Sequence, residues 1–209
     1  MAQGSTDGGS GAGSVAGCAA PPALVLASAS PRRRELLSRL GVTTFTVASA
    51  DIDETPRPRE NPRDYARRMA REKALASMPG EAFVLAGDTV VAAGLRILPK
   101  AEDEATARSC LALLSGRRHR VLSAVALRAP DGSLRERLSE TVVRFKPLST
   151  PEVEAYVAGY EWHGKAGGYA IQGSAEGLIA WISGSHSGVV GLPLFETRAL
   201  LKAAGFAIA

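Results

Sequence analysis

Residues Leu24 to Leu40, LVLASASPRRRELLSRL, constrain the fold more than any other stretch. A short apolar run passes without a linker into a helix-compatible pattern, which reads as a buried strand feeding a helix. Ser30 suits the N-cap, and Pro31 suits the first helical position, where its missing N–H costs nothing. Arg32, Arg33 and Arg34 then have the wrong sign for a helix start. A helix N-terminus carries about half a positive charge, so each cation there is unfavourable by roughly 0.3–1 kcal/mol. One reading is an anion site, in which free N–H groups, a hydroxyl and guanidinium forks converge on a phosphate. The other is a solvated basic helix start. The local sequence leaves both open.

Composition removes several function classes. The 209 residues suffice for one sizeable domain, and a net charge of +4 with 5% aromatic residues argues against a nucleic-acid surface. Cys18 and Cys110 lie far apart, and the three His residues lack metal-ligand spacing. A disulfide framework or zinc site is not expected, and a reducing cytoplasm fits. No apolar run approaches the roughly 20 residues of a membrane span. Residues 1–22 are rich in Gly, Ser and Ala, lack Lys and Arg, and read as a flexible, disordered tail rather than a signal peptide. Residues 23–209 read as a single domain.

Along the chain, Gly41 stops the first helix, and 43–49 alternates as a strand. An acidic loop with Asp51, Asp53 and Glu54 follows. Asn61-Pro62-Arg63-Asp64 opens a helix to about Met78, with an inward line of Tyr65 and Met69 whose next step is Lys73. A lysine there either snorkels to solvent or faces an anion. Phe83 to Ala86 reads as a strand that resumes at Val90, with Gly87-Asp88-Thr89 between. A carboxylate in that apolar run needs a cation or metal if buried; otherwise Asp88 is a strand-end turn residue. Residues 95–98 read as a short strand, 101–114 as a helix, and 121–127 with 134–145 as a hairpin around Pro130-Asp131-Gly132. A helix follows to about Ala158. The glycines of GKAGGYAIQG (164–173) imply close backbone approach, although the run is neither G-x-G-x-x-G nor a P-loop. A strand over 178–182, a loop over 184–191 and a last helix opened by Pro193 complete the chain. Alternating strands and helices with one antiparallel hairpin predict an α/β fold with a mixed sheet and flanking helices.

Six segments together resemble the Maf family of nucleoside triphosphate pyrophosphatases. They are LASASPRRRELLSRLG (26–41), AREKA (70–74), AGDTVV (86–91), LSGRRHRV (114–121), GKAGGYAIQG (164–173) and VVGLPLFET (189–197). The resemblance implies a twisted sheet, two lobes around a deep cleft as in inosine triphosphatases, and usually a homodimer. It also implies cleavage between the α and β phosphates with a divalent cation, Mg²⁺ or Mn²⁺. Carried over by position, it makes Asp88 the proton acceptor and Lys73 and Lys100 phosphate-site lysines. The Ser-Pro-Arg-Arg motif becomes Ser30 to Arg33, and Arg32, Thr89 and Gln172 set base preference. Asp-Thr and Ile-Gln-Gly resemble the dTTP and UTP branch rather than the 7-methyl-GTP branch. Gly164 stands where the family often has Asp, Ala101 where it has Pro, and His186 and Gly188 where it has Tyr and Asn.

The chemistry is consistent with that resemblance. A triphosphate needs charge neutralisation, an in-line water and a base. Arg32 and Arg33 can fork phosphate oxygens, with Arg34 left in solvent, while Lys73 and Lys100 act as point charges. Asp88 can take a proton from water or hold the metal, and Glu54 is a candidate second ligand or a solvated loop acid. Gln172 offers a donor and an acceptor to the O4 and N3–H edge of uracil or thymine, or else caps a turn. Two other readings remain: turnover of modified or purine nucleotides such as 7-methyl-GTP, and a non-catalytic nucleotide sensor in cell division.

Overall fold

The computed structural model describes Met1, residues 22–77 and residues 80–208. The expected tail at 2–21, Cys18 and Met78 lie outside the described residues. One seven-stranded sheet has the order β2-β1-β3-β6-β7-β9, with β4 paired to β3. Its strands are β1 (Leu24–Leu26), β2 (Thr46–Val47), β3 (Phe83–Ala93), β4 (Arg96–Ile97), β6 (Arg118–Arg128), β7 (Leu134–Phe145) and β9 (Ile179–Ser183). β1 is parallel to β2 and β3, and the remaining pairs are antiparallel. β5 (Lys100–Ala101) and β8 (Lys165–Ala166) form a separate antiparallel pair. The helices are α1 (Pro31–Arg39), α2 (Pro62–Ala76), α3 (Glu104–Leu114), α4 (Thr150–Ala158), α5 (His186–Val190) and α6 (Leu194–Ala203). Among the described residues, no helix is long and apolar enough to cross a membrane.

The two faces of β3 organise the core. Val84, Ala86, Val90 and Ala92 point to one face by the strand's period of two. There they pack with Ala66, Met69, Ala70 and Ala74 of α2 and Leu122, Ala124 and Ala126 of β6. On the other face Leu85 joins Leu36 and Leu37 of α1 and Leu200 and Leu201 of α6. A third cluster sets Val91 among Leu111, Leu114, Phe145 and Trp162. Each fully buried Leu or Met side chain here contributes about 1.5–3 kcal/mol of transfer free energy.

Several elements differ from expectation. β3 runs unbroken through Gly87-Asp88-Thr89, so Asp88 is a mid-strand residue and not a turn residue. The ladder to β6 explains this: Gly87, Asp88 and Thr89 oppose Val125, Ala124 and Ser123 without a slip. α3 starts at Glu104, not Ala101, because Asp103 caps it by accepting from Thr106 N–H at 2.7 Å. That frees Lys100–Ala101 to pair with β8. The strand expected over 43–49 shrinks to Thr46–Val47, an exposed edge. The strand expected over 95–98 shrinks to Arg96–Ile97. The loop over 184–191 contains α5, capped by Ser185 accepting from Gly188 N–H at 3.0 Å. The hairpin forms as expected, with Gly132 at φ +83 and Asp131 Oδ1 accepting from Ser133 N–H at 2.8 Å.

Candidate active site

β1, α1, β3 and the glycine-rich segment surround a cleft of about 430 Å³. Ser30, Arg32, Arg33, Glu54, Lys73, Asp88, Thr89, Lys100 and Gln172 all line it. Every candidate residue drawn from the sequence is therefore brought to one place, while Asp51 and Asp53 of the acidic loop stay outside.

The floor follows from two periodicities. Asp88 lies on the β3 face that packs on α2, since it is two residues from Ala86 and from Val90. Lys73 is one helical step beyond Met69 on the α2 line facing that strand. Both are 8% exposed, and Lys73 Nζ donates to Asp88 Oδ1 at 2.7 Å. Snorkelling is thereby ruled out for Lys73. Glu54 Oε1 lies 2.7 Å from the same ammonium, and Glu54 Oε2 lies 3.0 Å from Lys100 Nζ. Burial raises the Glu54 carboxyl, but hydrogen bonds and charge from Lys73 and Lys100 outweigh it and hold it at about 2. Glu54 is thus no solvated loop acid. Tyr65 Oη donates to the Glu54 carbonyl at 2.7 Å and fixes the loop. Burial, followed by the charges of Asp88 and Glu54, pushes the Tyr65 phenol up to about 12.

The α1 entrance forms one wall. Ser30 occupies the N-cap, yet its side chain makes no capping hydrogen bond, whereas Asn61 and Asp103 cap α2 and α3. Arg33 donates from Nε to the Gly191 carbonyl at 2.8 Å and from Nη1 to Ser28 Oγ at 3.1 Å. Gly87 of β3 packs beside it, and a Cβ there would be in ordinary van der Waals contact with Arg33 Nε, at 3.6 Å. Burial lowers the Arg33 guanidinium, partly offset by Asp88 and Glu54. Arg33 is therefore largely tethered, while Arg32 has no hydrogen-bond or ion-pair partner among the described residues. Burial, and then the charge of Arg33, lowers the Arg32 guanidinium. Arg34 is exposed, as expected.

The far wall is the glycine-rich segment. A Cβ on Gly167, at φ +69, would meet Val91 Cγ1 at 2.8 Å, which accounts for the glycine. Ala170 N–H donates to Tyr156 Oη at 3.0 Å, and Tyr169 Oη lies 2.8 Å from His119 Nε2. Gln172 is exposed on this braced turn, and its amide caps nothing among the described residues. Thr89 Oγ1 lies 2.6 Å from Ser123 Oγ, whose proton goes to the Gly188 carbonyl at 2.7 Å. Thr89 therefore donates into this hydroxyl chain.

Sequence reasoning missed Ser28, Ser123 and Lys165. A small hydroxyl carries no signal of its own, and Lys165 was legible only as one more residue of a glycine-rich motif. The nine expected residues and Lys165 place five cations, Arg32, Arg33, Lys73, Lys100 and Lys165, against two carboxylates, Glu54 and Asp88. Such a cleft attracts polyanions. The two carboxylates meet at the point now held by the Lys73 ammonium. No group of three or more His, Cys, Asp or Glu is placed for a metal among the described residues. This donor set fits Mg²⁺, which takes one or two carboxylates and completes its shell with phosphate oxygens and water.

The chain is similar over most of its length to known proteins. A protein of Novosphingobium aromaticivorans named dTTP/UTP pyrophosphatase is 70% identical over 197 residues, 93% of this chain and 98% of that protein. One of the same name from Rhodospirillum rubrum is 60% identical over 185 residues, 88% of each chain. Among solved structures, a HAM1 protein from Coxiella burnetii is similar at 15% identity and a TM-score of 0.46, over 88% of this chain and 98% of that one. The family model described as Maf-like protein matches residues 23–204. A cleft that gathers the Ser-Pro-Arg-Arg, Asp-Thr and Ile-Gln-Gly segments, in a chain matched over nearly all of its described length, shows that this protein belongs to the Maf family.

Proposed function

We propose that the chain hydrolyses nucleoside triphosphates, dTTP and UTP foremost, to the monophosphate and pyrophosphate, and so cleans the nucleotide pool. The observation that carries this reading is the Asp88–Lys73–Glu54–Lys100 chain on the floor of a cleft with three unmatched positive charges. A triphosphate, close to four negative charges, suits that excess. The relatives' name, dTTP/UTP pyrophosphatase, supports the substrate class.

In this reading Asp88 accepts the proton of a water whose oxygen attacks the α phosphorus. A new P–O bond forms, the bond to the α–β bridging oxygen breaks, and pyrophosphate leaves with the electron pair. Lys73 holds the Asp88 carboxylate in place by donating to its Oδ1. Arg32, Lys73 and Lys100 take charge from the phosphates, and the uncapped α1 entrance offers N–H groups. Glu54 and Asp88 would hold a divalent cation, Mg²⁺ or Mn²⁺, which supplies further neutralisation of the phosphate oxygens. Gln172 pairs with the O4 and N3–H edge of the base and rejects cytosine, whose pattern is inverted. Arg32 and Thr89, which the family resemblance also ties to base preference, line the same cleft. The homodimer implied by family resemblance, the two-lobed cleft and a cytoplasmic setting belong to this proposal.

The test is a panel of dTTP, UTP, CTP, GTP and 7-methyl-GTP with Mg²⁺ or Mn²⁺, with pyrophosphate measured. dTTP and UTP should be turned over fastest, and Asp88→Asn should lose on the order of a hundredfold or more while staying folded. Near-normal turnover by that variant would remove Asp88 as the base. A preference for 7-methyl-GTP would overturn the substrate assignment.

A further inference from the structure

The cations of the cleft divide into two unequal groups. Lys73 and Lys100 each have a carboxylate partner, and Arg33 is tethered beside Asp88 and Glu54. Arg32 and Lys165 have none among the described residues. Among the described residues the Lys165 ammonium donates only to the His163 carbonyl, at 2.8 Å. Glu102 and Glu161 are the acids nearest it in effect, yet neither forms an ion pair with it among the described residues. Glu161 instead accepts from Ser174 N–H at 2.8 Å.

Lys165 is not a loose surface residue. β8 pairs its backbone with Ala101, Gly164 N–H donates to the Ala101 carbonyl at 2.8 Å, and Gly167 N–H donates to the Pro99 carbonyl at 2.9 Å. The same ladder carries Lys100 on the opposing strand. Lys165 is half-buried and lines the cleft with Arg32. Burial, followed by the charge of Arg32, pulls its ammonium below its ordinary value. Two partly desolvated cations that repel each other, neither with a carboxylate at ion-pair distance among the described residues, favour an anion between them.

We propose that Lys165 and Arg32 form a second phosphate-binding pair, which takes the part of the polyphosphate chain that Lys73 and Lys100 do not neutralise. The proposal rests on the reading of the cleft as a triphosphate site and adds Lys165 as a substrate-binding residue.

The experiment compares the full chain with Lys165→Met and Lys165→Arg. Affinity for inorganic tripolyphosphate is measured by calorimetry, and KM and kcat by dTTP turnover. Lys165→Met should weaken tripolyphosphate binding and raise KM by about tenfold, the loss of one charge-assisted hydrogen bond, with kcat nearly unchanged. Lys165→Arg should recover most of both. Unaltered thermal melting shows that the loss is not one of folding. Turnover by the unaltered chain together with unchanged tripolyphosphate affinity in Lys165→Met overturns the pair. Tripolyphosphate binding that depends on Lys165, in a chain that turns over no nucleotide, keeps the pair and overturns the proposed function instead.

Discussion

Replacing Lys73 by Met tests how the cleft floor holds together. Its Nζ lies 2.7 Å from Asp88 Oδ1 and 2.7 Å from Glu54 Oε1, so the change removes a partner from both acids. They respond differently. Glu54 keeps Lys100 at 3.0 Å, and its side chain is 39% exposed. Asp88 is only 11% exposed at the side chain and has no second ion pair among the described residues. Breaking a buried pair from one side costs about 3–5 kcal/mol, because the remaining charge stays desolvated. The nearby Arg33 offsets some of this, which puts the expectation at the lower end, about 3 kcal/mol. The opposite change, Asp88→Asn, leaves Lys73 on Glu54 and should cost about 1–2 kcal/mol. The double variant leaves no unpaired charge and should be more stable than Lys73→Met alone, with a coupling of about 2 kcal/mol. Urea denaturation read by tryptophan fluorescence measures all three, since Trp162 is 1% exposed. For a domain of this size, 3 kcal/mol corresponds to a fall in Tm of about 6–12 °C. If both single variants cost the same within about 0.5 kcal/mol and the double is additive, the pair is not energetically coupled and the account of the floor fails.

Three further outcomes follow from the geometry. Gln172→Glu should weaken use of UTP and dTTP, since a carboxylate accepts but cannot donate to O4; an unchanged preference over CTP and GTP in a competition assay would remove Gln172 as the reader of the base. The Glu54 carboxyl is depressed from 4.5 to about 2, so its stabilisation is present above its unfolded value and lost as pH falls from about 4.5 towards 2. Glu54→Gln should flatten that part of the acid limb in thermal melts against pH, and an identical limb in both proteins contradicts the pairing. Gly167→Ala should destabilise by about 1–3 kcal/mol, through left-handed strain and the clash with Val91. Gly164→Ala, at φ +66 with nothing within 4 Å of a Cβ, should cost about 1 kcal/mol, and equal losses would discount the clash.

Much of this was legible because it depends on local rules. Pro31 after Ser30 set the start of α1 to the residue. The step of four from Tyr65 through Met69 put Lys73 on the inward face, and Pro130-Asp131-Gly132 made the hairpin. The misread stretches were those where a distant partner overrides local preference. Gly87-Asp88-Thr89 has turn-like composition, yet unbroken pairing to β6 keeps it extended. Ala101 looked helical until Asp103 took the cap and β8 supplied a ladder.

The sequence alone determined the strand-into-helix entrance with its misplaced arginines, the helical line from Tyr65 through Met69 to Lys73, and the glycine segment that must approach another backbone. Those are consequences of period, capping and steric room, all settled within a few residues. Only the tertiary structure decided which charges meet. Arg33 is held by Gly191 and Ser28 while Arg32 stays open, Glu54 bridges two lysines, and Lys165 stands unneutralised beside Arg32. Those distances depend on how β3, α2, β8 and the acidic loop register across separations of tens of residues. A charge-pair energy changes by several kcal/mol over a few ångströms in a partly dry cleft, so residue type and spacing alone do not determine it.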